Sequence, residues 1–137
     1  MTVVKEILPD LLGGVFARLR SDLAHLTVDG LRFSHVRVLD GVPAEGASVT
    51  VLAAHLGMTK QGCGQFVAQL ERSGHVRVET ARGDRRVRLV RLTPEGERFL
   101  ARAHAAIAAA EEEFAAEVGP RRYATFRRVL EELGERP

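Results

Sequence analysis

The side chains able to do chemistry cluster between Ser48 and Arg86. Lys60, Gln61, Gln65 and Arg72 recur at spacings that put them on one side of a helix, with Gly64 and Ala68 among them. Cys63, Phe66, Val67 and Leu70 take the other side at i, i+3, i+4 and i+7. Glutamine can pair bidentately with adenine N6 and N7, and lysine can reach guanine or a phosphate, so this outer face could read base edges. Gln61 and Gln65 are the expected base readers, with Thr59 and Lys60 on the backbone. Arg82, Arg85 and Arg86 follow in the turn Ala81-Arg-Gly-Asp-Arg-Arg86. Such a tip suits a narrow, electronegative minor groove or flanking phosphates. Asp84 would brace it through an arginine pair; a plain turn residue is the blander alternative.

Other chemistries have little support. His25, His35, His55, His75 and His104 lie on separate segments, and none is spaced with Cys63 or a carboxylate as a metal-ligand pair. No glycine loop cradles a phosphate, and no Ser-His-Asp order suggests a nucleophile. Gly62-x-Gly64 falls inside a helical pattern. No catalytic residue, metal or cofactor is therefore expected. Cys63 sits one turn past a helix start beside Lys60, a setting that lowers a thiol pKa and would suit an oxidant sensor. Its place on the apolar stripe argues instead for a small buried hydrophobe.

The elements that position the cluster can be read from caps and periodicity. Ser48 is an N-cap for a helix with Leu52, Ala53 and Leu56 inward, ended by Gly57; Thr59 caps the next helix, ended by Gly74. Two helices joined so tightly form a helix-turn-helix, whose second helix is the usual major-groove reader. His75–Thr80 and Val87–Leu92 are β-rich, and a hairpin after a helix-turn-helix makes a winged helix. Upstream, a helix from about Val4 to Leu26 carries Ile7, Leu11, Val15, Leu19, Leu23 and Leu26 on one face, with Pro9 near its first turn. Thr27 to Gly30 is a turn, and Leu31 to Leu39 a short helix with Phe33, Val36 and Leu39 inward. Downstream, Thr93-Pro94-Glu95 starts a long alanine-rich helix to about Val118, with Leu100, Ala103, Ile107, Ala110 and Phe114 inward. Gly119-Pro120 breaks it, and a last helix carries Tyr123, Phe126, Val129, Leu130 and Leu133.

At 137 residues the chain suits one domain. Its formal charge is only +2, but Lys60 to Arg91 holds eight basic residues against three acidic ones, a local +5 that leaves −3 on the remainder. Concentrated positive charge is the footprint of a phosphate partner, although a solvated hairpin would look the same by charge alone. One cysteine permits no internal disulfide and fits a reducing cytosol. With no signal peptide and no apolar run of membrane length, the sequence reads as soluble and cytoplasmic.

Leu52-Ala53 through Leu56-Gly57, Thr59, Leu70-Glu71, Gly74, Asp84-Arg85-Arg86 and Leu92-Thr93-Pro94-Glu95-Gly96 together resemble the multiple-antibiotic-resistance regulator (MarR) family of bacterial transcription factors. The wing's Asp-x-Arg falls on Asp84 and Arg86, and the closing Leu-Thr-x-x-Gly on Leu92, Thr93 and Gly96. The resemblance implies a mainly α (α+β) fold: a winged helix-turn-helix over residues 31–93 within a single domain of residues 1–137. Residues 1–28 and 94–137 would supply dimerisation helices, interlocked about a twofold axis as their apolar faces also suggest. It implies repression by a homodimer on a pseudo-palindromic duplex DNA operator, relieved by a small-molecule effector. The family's pocket lies between the dimerisation helices and the winged lobe, where His25, Phe33, His35 and Arg37 could line it; core-edge or surface positions are their alternative. Many relatives carry serine or threonine and an arginine along the reading helix, where Gly62, Gly64 and Gln65 stand here. Two interior glycines cost ~1 kcal/mol each against alanine. Either they let the backbone lie deep in the groove, or the helix is a weakened reader. In the latter case the chain would be a winged-helix interaction module that no longer reads DNA.

Overall fold

A computed structural model describes residues 7–26 and 30–135. In chain order its elements are α1 (Leu8–Asp22), a 3-10 turn (Ala24–Leu26), α2 (Phe33–Asp40), α3 (Val49–Leu56), α4 (Lys60–Arg72), β1 (Val76–Ala81), β2 (Asp84–Leu92), α5 (Pro94–Val118) and α6 (Pro120–Gly134). The mainly helical winged fold expected from the sequence is what forms.

Local chemistry sets the boundaries. Ser48 Oγ accepts the Val51 amide N–H at 3.2 Å, and Thr59 Oγ1 that of Gly62 at 3.0 Å, so both helices of the pair start on a side-chain cap. Gly57 ends α3 at φ 66°, a left-handed conformation that an L side chain resists. The wing is a two-stranded antiparallel sheet, with Val76 opposite Leu92 and Val78 opposite Val90. A short bridge between Ala47 and Val90 ties it to the residue preceding the Ser48 cap.

The core is Leu31, Val36, Val38 and Leu39 from the α2 region, Leu52 and Ala53, Cys63, Val67 and Leu70, Val76 and Val90, and Phe99 and Ala103. Burial of these side chains fixes α4 against α2, α3 and the wing's base, which presents its other face outward. Several expectations need correction. The first helix does not continue to Leu26: it stops at Asp22, and the chain tightens so that Leu23 turns into the core. Val4 and Thr27 to Asp29 lie outside the described residues. The short helix begins at Phe33, two residues later than expected, and buries His35 and Val38 along with Val36 and Leu39. In α5 Phe99 is fully buried, whereas Leu100 and Ile107 are only partly so. The wing turn is just Arg82-Gly83, with Gly83 at φ 85°; Asp84, Arg85 and Arg86 belong to β2.

Helices α1 and α6 bury no residue completely. Leu11, Phe16, Phe126, Val129, Leu130 and Leu133 are all exposed, Leu133 by 61 %.

Candidate nucleic-acid interface

With Cys63, Val67 and Leu70 buried, the outer face of α4 presents Lys60, Gln61, Gln65 and Arg72, all exposed. Among the described residues none of these side chains makes an intramolecular hydrogen bond or ion pair. Gly64 lies half-buried on the flank of that face, where a Cβ would meet only Val49 Cγ1 at 3.9 Å. Gly62 differs: a Cβ there would stand 2.9 Å from Thr59 Oγ1, against the capping hydroxyl. Ser48 and Thr59 are half-buried and exposed respectively, each with its hydroxyl already accepting one amide.

The wing's arginines divide into two sets. At its base Arg77 and Arg91 both pair with Glu79, and an Arg91 guanidinium N–H donates to the Ala44 carbonyl at 3.3 Å. These charges are committed to the fold. Toward the tip, Arg82, Arg85 and Arg88 are exposed and have no intramolecular partner among the described residues. Arg86 is 93 % exposed in its side chain. Asp84 Oδ1 accepts the Arg86 amide N–H at 3.0 Å and faces its Nε at 3.5 Å, which stiffens the strand just beyond the turn. Arg88, one alternation further along β2, joins this set beyond the arginines expected there; the charged-apolar alternation of the strand is its signal in the sequence.

The four residues expected to share a ligand pocket do not. His25 lines a groove with Leu26, Arg102 and Ala106, between the 3-10 turn and α5. Phe33 packs edge-on against Phe16 of α1, with centroids 6.1 Å apart. His35 is 1 % exposed and serves the core: its Nδ1 accepts the Arg32 amide N–H at 2.8 Å, and its Nε2 lies 2.5 Å from Gln69 Oε1. Arg37 is exposed on the outer side of α2. On α2, position 35 lies across the helix from 33 and 37, which share a face, so His35 turns into the core while Phe33 and Arg37 stay on the outer side.

Cys63 is buried, and burial pushes its thiol above the usual range, opposite to what a thiolate sensor needs. Among the described residues no group of three or more His, Cys, Asp or Glu could hold a metal ion. No helix among them is long and apolar enough to cross a membrane.

Residues 29–87 match the sequence model described as MarR family. No curated protein matches the sequence. Solved structures agree in fold across nearly the whole chain. MarR itself superposes with a TM-score of 0.82 at 22% identity, covering 98% of this chain and 94% of that one. A Mycobacterium tuberculosis MarR family protein, solved in complex with DNA, is 29% identical with a TM-score of 0.70, over 96% and 100% of the two chains. CouR from Rhodococcus jostii, solved bound to p-coumaroyl-CoA, is 26% identical with a TM-score of 0.75, over 95% and 90%. The resemblance read from the motifs is borne out.

Proposed function

We propose that this chain, MarR-like in sequence over residues 29–87 and in fold over its described length, is a sequence-specific DNA-binding transcriptional regulator. The observation that carries the reading is the polar face of α4, unpaired among the described residues, followed by a hairpin whose tip arginines Arg82, Arg85 and Arg88 are equally unpaired there and whose Arg86 is almost fully exposed. Arg77 and Arg91 at the wing's base are paired within the fold, whereas the cations toward the tip are left to an outside partner. Charges held exposed on a winged helix fit phosphates outside the molecule. In that arrangement Gln61 and Gln65 read bases in the major groove, while Lys60, Arg72 and the caps at Ser48 and Thr59 lie by the backbone. Gly64 permits close approach, and Arg82, Arg85 and Arg86, braced by Asp84, enter the flanking minor groove.

The regulator acts as a homodimer on a pseudo-palindromic operator. Residues 31–93 form the reading lobe; residues 1–28 and 94–137 form the dimerisation lobe. The uncovered apolar side chains of α1 and α6 support this, because such a surface on a small chain calls for a partner of the same kind. Repression by occlusion, with release by a small molecule, is the mode that suits the fold. The groove beside His25 and Arg102, between the 3-10 turn and α5, is the favoured effector site. A selection from random duplexes tests the reading: a regulator enriches one inverted-repeat sequence. The second reading, an interaction module, draws on Gly64, whose missing side chain nothing in the fold demands; it predicts no enrichment.

A further inference from the structure

A second cleft, of about 650 Å³, lies between the N-terminal end of α2 and the last turns of α4. Arg32, His35, Gln69, Arg72 and Ser73 line it with the backbone at Gly30 and Leu31; α1, α5 and α6 contribute nothing to it. It is therefore distinct from the groove beside His25.

The buried histidine fixes the chemistry of the cleft. Arg32 N–H is a donor, so His35 Nδ1 must carry the lone pair and His35 Nε2 the proton. That N–H can only donate, so Gln69 turns its carbonyl oxygen toward His35. The Gln69 amide NH2 is thereby left to the cleft, with no intramolecular acceptor among the described residues. Arg32 and Arg72 are exposed at the same cleft and make no ion pair among those residues. Ser73 Oγ is already engaged by the Leu70 carbonyl and His75 Nδ1. Two guanidinium groups and an oriented amide make a set of donors with no carboxylate among the described lining residues. Planar guanidinium forks match the oxygens of carboxylate and phosphate.

We propose that this cleft is an oxyanion site, taking a phosphate or carboxylate group held by Arg32, Arg72 and the Gln69 amide. Because Gln69 and Arg72 lie on α4, an occupant would touch the helix that the proposed function assigns to DNA. The site itself stands independently of that function.

Inorganic phosphate titrated against chloride at constant ionic strength tests it, with the full chain followed by 1H–15N NMR. The site predicts a saturable shift of the Gln69 side-chain NH2 and of the Arg32 and Arg72 Nε–H signals, stronger than at Arg82 or Arg85. Gln69→Glu keeps an acceptor for His35 but puts a carboxylate in the cleft, so phosphate affinity should fall by about tenfold or more with the fold intact. Arg32→Gln should weaken binding in the same direction. A duplex added in place of phosphate separates the two sources: the same Gln69 shift assigns the cleft to a DNA phosphate, and an unmoved Gln69 signal assigns it to a free anion. Phosphate shifts that are unsaturable, or as large on the wing as in the cleft, or unchanged in Gln69→Glu, would overturn the proposal.

Discussion

Gly96 lies so close to His75 that a Cβ at residue 96 would stand 1.9 Å from the His75 carbonyl oxygen. The contact is the seam between the winged lobe and α5. Thr93 locks it from three directions: its hydroxyl donates to the Gly74 carbonyl at 2.6 Å, its amide donates to the His75 carbonyl at 3.1 Å, and its oxygen accepts the Gly96 amide at 3.1 Å. The Leu92-Thr-Pro-Glu-Gly96 motif is thus a splice in which only a hydrogen fits. Gly96→Ala should cost about 2 kcal/mol or more, because the steric overlap outweighs the ~1 kcal/mol that alanine gains in a helix. Urea denaturation measures this; a wild-type midpoint would mean that the lobes are not pressed together here.

Gly64 predicts the opposite sign. A methyl there meets only Val49 Cγ1 at ordinary contact distance, so Gly64→Ala should stabilise the fold by about 1 kcal/mol. If the glycine is kept for close approach to DNA, the same variant should bind its operator about tenfold more weakly. Stability raised with affinity untouched would remove Gly64 from the interface.

Tyr123 is the only tyrosine, and the chain has no tryptophan, so its ionisation can be followed cleanly in the ultraviolet. Its hydroxyl donates to Glu111 at 2.6 Å, and burial, then that bond, push its pKa up to about 12. The folded value exceeds the unfolded one of 10.0. This contribution to stability is therefore complete below pH 10 and declines as the pH rises toward 12. A native titration midpoint at the free-tyrosine value would contradict the packing of α6 on α5.

Cys63 should react with a thiol reagent only after unfolding, and mild peroxide should leave DNA affinity unchanged, since the thiol is both buried and raised in pKa. Rapid labelling of the native protein would reopen the sensor reading.

Leu130→Glu with Leu133→Glu places two charges on the uncovered face of α6. Sedimentation should show the wild type as a dimer and the double variant shifted to monomer with its helical content retained. A wild-type monomer would contradict the proposed assembly.

Where local chemistry decides, the fold was legible. Ser48, Thr59 and Thr93 are caps because a hydroxyl before a helical stripe has few better uses, and Gly57 and Gly74 end their helices at positive φ. The wing turn reads wider in the sequence than it is because Asp84, Arg85 and Arg86 have weak strand propensity, and only pairing across the hairpin extends β2 to them. His35 stays open between pocket lining and core edge in the sequence because nothing local announces that Gln69, 34 residues away, accepts from it. That His25 and His35 line different clefts was hidden for the same reason, since a shared cavity depends on tertiary packing, which spacing along the chain does not encode. On α4 the buried stripe alone fixes which side chains face outward. That is why Lys60, Gln61, Gln65 and Arg72 could be named from the sequence.

In the proposed complex the exposed arginines of the wing meet DNA phosphates and the minor groove. Fluorescence anisotropy on a duplex carrying the selected sequence, for wild type and Arg86→Ala across a range of salt, tests it most directly. Contact between the wing and DNA should give saturable binding that weakens steeply with salt, and a variant with lower affinity and a log–log salt slope shallower by about one unit. Salt-insensitive binding, or a variant that matches wild type in both affinity and slope, would contradict it.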